Sequence, residues 1–242
     1  MNRRLSTVSA SLLTVLACGT LILATPPNQN AQTKAVAAKK AAAPKTPDAP
    51  AVSTATIAVN GVTDIDPTKA FGSRTAPVVV EIYSDFQCPA CKQLFLNTTQ
   101  KVMDNYVNTG KVYLVHRDFP LPMHAYSRVA ASYSRAAAHI GKCEAVEKAL
   151  FQNQEKWETN GDVKGIVAGV LSPAEMKKVQ AIVDAKTLEP LIEKDKQLGL
   201  MQPVTQTPTS VFHSPKGQPY PFAGVLSYDV LKDFLDQLIA QK

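Results

Sequence analysis

The sequence predicts an α/β domain with a helical insertion between its second strand and a late, proline-led strand, and three observations carry that prediction. A β-branched and aromatic run, Val78 to Tyr83, leads into Cys88-Pro89-Ala90-Cys91 and then into apolar residues at helical spacing. A second apolar run, Lys111 to Val115, is followed by helical pattern over roughly residues 124–200. Strand-like runs return only afterwards, at Thr209 to His213 and Gln218 to Phe222, ahead of a closing helix.

From the N-terminus, the first 56 residues of the 242 do not read as globular. Asn2, Arg3 and Arg4 precede an uncharged, largely apolar stretch from Leu5 to Ala24, so residues 1–24 have the pattern of an export signal. The same stretch is long enough for an uncleaved membrane anchor. Val15-Leu16-Ala17-Cys18 offers a third fate, because it has the look of a lipidation box with Cys18 as the modified residue. Residues 25–56 are mostly Ala, Pro, Lys, Gln and Thr, a tether with too little apolar surface to order itself. Residues 57–242 are predicted to form one domain, exported into the periplasm or another extracytoplasmic space.

Within that domain Ile57 to Val62 reads as an edge strand, and Asp66-Pro67 and Gly72-Ser73 punctuate a turn-rich approach to Pro77. After the first strand and the cysteines, Leu94, Phe95, Val102, Met103 and Tyr106 recur at helical spacing until Gly110. The second strand is stopped by Pro120 and Pro122. The insertion then divides into Ser127 to Ile140, Glu144 to Gln154 and Asp162 to Val170. Ser172-Pro173-Ala174-Glu175 opens a further helix to about Ala185, with Ser at the N-cap, Pro at N1 and Glu at N3. Another runs from Pro190 to Gly199. Pro215-Lys216-Gly217 reads as a hairpin turn between the last two strands. The closing helix, Ser227 to Ala240, is expected to bury Val230, Leu231, Phe234, Leu235, Leu238 and Ile239 on one side.

The formal charge of +6 does not mark a nucleic-acid binder. Residues 1–56 hold Arg3, Arg4, Lys34, Lys39, Lys40 and Lys45 against Asp48, a net of +5, so the remaining chain carries +1. A polyanion needs clustered basic residues on a folded face, and the domain has no such run. Of the four cysteines, Cys18 lies in the leader, which leaves Cys88, Cys91 and Cys143. An odd number favours one redox pair and a bystander over a structural disulfide scaffold.

A Cys-x-x-Cys spacing also occurs in zinc half-sites and in static disulfides. Zinc normally takes a second pair of Cys or His at comparable spacing, whereas His116, His124, His139 and His213 are scattered, so no metal is predicted. A disulfide closing so small a loop restricts the unfolded chain little. A thiol at the first turn of a helix, by contrast, sits among unpaired N–H groups at the positive end of the helix dipole. There its pKa falls from about 8.5 to roughly 3.5–7.5, and the thiolate is the form that attacks disulfides.

Thr207-Pro208-Thr209 opens the late strand, where a proline indicates a turn or a cis bond. This segment, Ser84-Asp85-Phe86-Gln87-Cys88-Pro89-Ala90-Cys91 and Arg117-Asp118-Phe119-Pro120-Leu121 together resemble DsbA-like thiol-disulfide oxidoreductases of the thioredoxin superfamily, over roughly residues 64–240. The resemblance implies a thioredoxin-like fold whose insertion covers one side of the active site. It implies Cys88 as the nucleophilic thiol, Cys91 as the more buried resolving thiol, and Pro89 and Ala90 as residues that tune the couple. Pro208 becomes the cis-proline packed against the pair, with Thr207 offering backbone hydrogen bonds to an extended substrate. It further implies cysteine-containing exported proteins as substrates, a membrane redox partner, and no cofactor beyond a redox-active Cys88-Cys91 disulfide. A disulfide-forming oxidase is the leading expectation; a reductase or isomerase, or a non-catalytic peptide-binding module, are the alternatives.

The sequence departs from that pattern in places. Many relatives carry a buried carboxylate six residues before the first cysteine, where this chain has Ile82. Glu81 falls on the other face of the strand and reads as a solvated residue. Asp85 reads as a turn or cap residue, Cys143 as a small buried apolar residue, and Phe151 and Trp157 as insertion core. His116, His124 and His139 read as surface or packing residues.

Overall fold

The computed structural model describes residues 52–241. The expected leader 1–24, Cys18 and nearly all of the tether 25–56 lie outside them. Among the described residues no helix is long and apolar enough to cross a membrane.

The first elements are a hairpin of β1 (Ile57–Val59) and β2 (Val62–Ile65), paired only with each other. The sequence reading expected a single edge strand here. The turn explains the difference: Asn60 and Gly61 both have positive φ, 48° and 79°, the backbone of a two-residue hairpin turn. A 3₁₀ turn, Pro67–Lys69, capped by the Asp66 side chain, leads to the two-residue strand β3 (Ala70–Phe71). Then come β4 (Val78–Ser84) and the cysteine-bearing helix, which starts as α1 (Pro89–Leu94) and continues through a π turn (Phe95–Thr99), α2 (Gln100–Val102) and a second π turn (Met103–Val107). The strand β5 spans Val112–Asp118, so the predicted run continues through His116 and Arg117, whose side chains are buried.

The insertion comprises α3 (Ser127–Ala138), α4 (Cys143–Gln152), α5 (Gln154–Trp157), α6 (Val163–Ala168), α7 (Pro173–Ala185) and α8 (Glu189–Met201). The start of α7 is a complete capping box: Ser172 Oγ accepts from the Glu175 amide, and the Glu175 side chain accepts from the Ser172 amide. The chain closes with β6 (Thr209–His213), β7 (Pro219–Ala223) and α9 (Tyr228–Ile239).

Five strands form one sheet in the order β3-β5-β4-β6-β7, with β4 and β5 parallel and the other neighbours antiparallel. Its central strand β4 is buried on both faces. Val78, Val80 and Ile82 point to one side and pack with Leu94, Val102 and Tyr106 of the cysteine helix and with Leu231, Leu235 and Leu238 of α9. Val230, which was expected in that apolar stripe, is instead 57% exposed, because it lies beyond the edge of the face that α9 turns to the sheet. On the other side Val79 meets the β1–β2 hairpin, and Tyr83 meets Phe119, Val204 and Val211. Helix α8 comes so close to this face that a Cβ on Gly199 would lie 2.7 Å from the Phe119 ring.

The helical insertion has its own core, and the cysteines belong to it. Phe86, Cys88, Cys91 and Phe95 pack with Leu150, Phe151, Trp157 and Ile192, the Phe86 and Phe151 rings stacking at 4.9 Å between centroids. Phe151 and Trp157 are thus core residues, and Cys143 is buried at the start of α4. The insertion therefore packs directly against the start of the cysteine helix.

Candidate active site

Cys88 is the N-cap residue of α1 and Pro89 its first helical residue, a place where the missing N–H of proline costs nothing. The Cys88 backbone is extended, and its amide donates to the Asp85 carbonyl at 3.1 Å, so the thiol stands at the mouth of the helix rather than on its side. Cys91, one turn on, is more deeply set: 1% exposed against 7% for Cys88. Both are thiols in this structure, as is Cys143. Pro89 is exposed and Ala90 half-buried beside them.

The strand β6 brings up the second part. The Thr207-Pro208 peptide is cis, and the Cys88 thiol donates to the Thr207 carbonyl at 3.4 Å across 119 residues of sequence. The same segment is held from behind, where the Gly224 amide donates to the Pro208 carbonyl at 2.7 Å. Thr207 Oγ1 is buried with no hydrogen-bond partner among the described residues, so the hydroxyl is free to turn toward a charged sulfur. The structure thus brings Cys88, Cys91, Thr207 and Pro208 together.

The two thiols are driven apart electrostatically. The Cys91 thiol facing it lowers the Cys88 pKa to about 5, outweighing burial, and the Thr207 side chain and the amides of Cys91 and Ala90 act in the same direction. Burial pushes Cys91 the opposite way, and the charge on Cys88 adds to it. The surroundings thus favour the thiolate at Cys88 and the thiol at Cys91. The less buried sulfur favoured as thiolate beside a more deeply buried thiol is the arrangement disulfide exchange requires.

Asp85 sits at the crossing of the site. Its carboxylate is fully buried: Oδ1 accepts from the Gln87 amide at 2.7 Å, Oδ2 from the Leu121 amide at 2.7 Å, and His124 Nδ1 lies 2.8 Å from Oδ2. The bond to Gln87 is the turn expected of this residue. The approach of His124, 39 positions away, follows no local rule and leaves no mark in the sequence.

Glu81 requires a correction. It is 0% exposed rather than solvated, because the face opposite Ile82 is covered by the hairpin and α8. Its carboxylate meets Arg117 Nε at 2.7 Å, His213 Nε2 at 2.9 Å and Gln202 Nε2 at 3.1 Å. Burial alone would raise its pKa; His213, Arg117 and Gln202 outweigh it and hold the carboxyl below the ordinary range. From Arg117 a buried ionic seam continues through Asp195 to Arg135, which also binds Asp118 at 2.6 Å and Asp66 at 2.9 Å. Beside it Lys69 contacts Glu147, and His116 Nδ1 lies 2.5 Å from the same carboxylate. His116 is therefore a buried ion-pairing residue, not a surface one.

Comparison with known proteins bears on the family and the fold. A family profile described as thioredoxin matches residues 64–215. Among curated sequences, a probable disulfide bond formation protein D of Bacillus cereus is 26% identical over 133 residues, covering 52% of this chain. The match spans 61% of that relative's length. Among solved structures, alpha-DsbA1 of Wolbachia pipientis superposes with a TM-score of 0.61 at 22% identity, covering 72% of this chain and 91% of that one. Oxidised BdbD of Bacillus subtilis superposes with a TM-score of 0.59 at 20% identity, covering 71% and 92%. These likenesses establish a thioredoxin-like fold, mixed α/β with a central sheet.

Proposed function

The chain belongs to the thioredoxin family, and from that premise we propose that it is an exported thiol-disulfide oxidoreductase working through Cys88 and Cys91, in the disulfide-forming direction. One observation carries the reading: a thiol with its pKa lowered to about 5 lies against the cis Thr207-Pro208 segment and beside a second thiol whose pKa is raised. A stabilised Cys88 thiolate stabilises the reduced form, which makes the corresponding disulfide a stronger oxidant. That consequence favours an oxidase over a reductase or isomerase.

In this direction a substrate thiolate attacks the Cys88 sulfur of the Cys88-Cys91 disulfide. Cys91 leaves as a thiolate and takes a proton. A second substrate thiolate attacks the substrate's own sulfur in the mixed disulfide, and Cys88 leaves as the thiolate its surroundings favour. Two electrons pass from substrate to protein. The substrates are cysteine-containing exported proteins, held as extended segments against Thr207 and Pro208, while Pro89 and Ala90 shape the backbone around the thiolate. Two-electron reoxidation is assigned to a membrane redox partner, and delivery to the extracytoplasmic side to residues 1–24, as cleaved signal, anchor or lipidated leader.

The test is the equilibrium of the reduced and oxidised protein with glutathione, run beside oxidation of a reduced, unfolded substrate. An oxidase gives a potential well above that of thioredoxin, about −270 mV, and loses substrate oxidation in Cys88→Ser. A potential near the thioredoxin value would reverse the direction. Undiminished oxidation by Cys88→Ser would leave only the peptide-binding reading.

A further inference from the structure

The Asp85 backbone touches both cysteines. Its amide donates to Cys91 Sγ at 3.4 Å, and its carbonyl accepts from the Cys88 amide at 3.1 Å. Its side chain is the means by which that backbone is held. Two of the three groups gripping the carboxylate are amides, of Gln87 in the same turn and of Leu121 in the loop after β5. The third is His124, at 2.8 Å, the one side chain of the three and partly exposed to solvent. His124 Nδ1 is buried and faces Oδ2 in an ion-pair contact, without hydrogen-bond geometry to any described residue. The pair thereby ties the turn that carries the cysteines to the loop that leads into the helical insertion.

We infer that His124 is a positioning residue for the resolving thiol: it fixes the Asp85 carboxylate, and through it aims the Asp85 amide at the Cys91 sulfur. An N–H donor stabilises a thiolate more than a thiol, so the aim matters when Cys91 bears charge and little when Cys88 does. The inference rests on the exchange chemistry proposed above. It separates the two halves of that chemistry, because attack by Cys88 does not involve the Asp85 amide, whereas resolution by Cys91 does.

The experiment is a single turnover of the reduced protein with oxidised glutathione, quenched in acid and read by mass. First, Cys88 thiolate attacks the glutathione disulfide, forming the Cys88-glutathione mixed disulfide and releasing one glutathione thiolate. Then Cys91 gives its proton to water, its sulfur bonds to that of Cys88, and the second glutathione leaves as a thiolate that takes up a proton. One dithiol is oxidised and one disulfide reduced to two thiols. In His124→Leu the first step should keep its rate, while the mixed disulfide should persist about tenfold longer, the scale of one lost contact to a buried charge. His124→Asn, whose side-chain nitrogen falls near the place of Nδ1, should restore resolution. An unchanged lifetime in His124→Leu, equal slowing of both steps, or no rescue by Asn would each overturn the assignment. A wild-type protein that forms no mixed disulfide would instead overturn the proposed activity.

Discussion

The cysteine site and the ionic seam are both built from buried ionisable groups, and they differ in whether those groups are matched. In the seam each charge faces an opposite one: Arg135 against Asp66, Asp118 and Asp195, Arg117 against Glu81 and Asp195, Lys69 and His116 against Glu147. Burial works against the Glu147 charge, yet His116 and Lys69 hold its carboxyl far below the usual range. At the cysteines the groups that chiefly stabilise Cys88 are a thiol, a hydroxyl and amides, all neutral donors. Matched charges fix the docking of the insertion on the sheet and are chemically quiet. A charge stabilised chiefly by neutral donors stays available to a second sulfur. Burial alone therefore marks neither stability nor reactivity; the partner decides.

The largest effect should come from Cys88→Ser, which removes the Cys88 charge: disulfide exchange falls to background, and at neutral pH the urea midpoint of the reduced protein falls as the thiolate's stabilisation is lost. Exchange that persists would break the contrast at its reactive end. Next, Arg135→Met leaves three carboxylates, those of Asp66, Asp118 and Asp195, without their common cation. Losing one partner of a buried pair costs about 3–5 kcal/mol, so urea denaturation should show a drop of at least that order. A variant as stable as the wild type would show that the seam is dispensable packing.

The third expectation concerns pH. The folded Cys88 pKa, about 5, lies below the ordinary thiol value of 9.0, so in the reduced protein the unfolded chain binds more protons across that window. Stability of the reduced form relative to the oxidised form should rise as pH increases from about 5 to about 9, and be lost as pH falls back through the folded value. Paired denaturation curves of the two redox forms check this; a difference independent of pH would deny the stabilised thiolate. The smallest effect is a control placed away from both regions. Ser172→Ala removes the α7 capping box and should cost about 1 kcal/mol, with exchange rates unaltered.

How much of this was legible in the sequence follows the range of the interactions concerned. The capping box at Ser172 and the turn at Asp85 close within three residues, and both stand in the structure as local chemistry dictates. The strand β4 and the helix after the cysteines followed from periodicity, and the cis bond from a proline at the start of a strand. The Asn60-Gly61 hairpin was equally local, and its signal was present in the dipeptide itself. Glu81 was placed on the correct face of its strand and given the wrong surroundings. Its partners Arg117, Gln202 and His213 lie 36 to 132 positions away, and the covering of that face is decided by how the hairpin and α8 dock. The two π turns left no mark in composition that distinguishes them from ordinary helix.

The margins of the sheet bear on how such a protein survives its own proposed task. At one margin β3 is two residues long; at the other β7 carries Pro219 and Pro221. Those prolines alternate with Tyr220 and Phe222, so both absent N–H groups fall on the same side of the strand. Since β7 still pairs with β6 along its length, the bare side is the outer one. A protein with the proposed activity would meet unfolded, aggregation-prone chains, and these margins offer them no long rail of free donors on which to polymerise. Among the described residues, the proposed docking of extended clients beside Cys88 therefore has no long edge of the five-stranded sheet to compete with it.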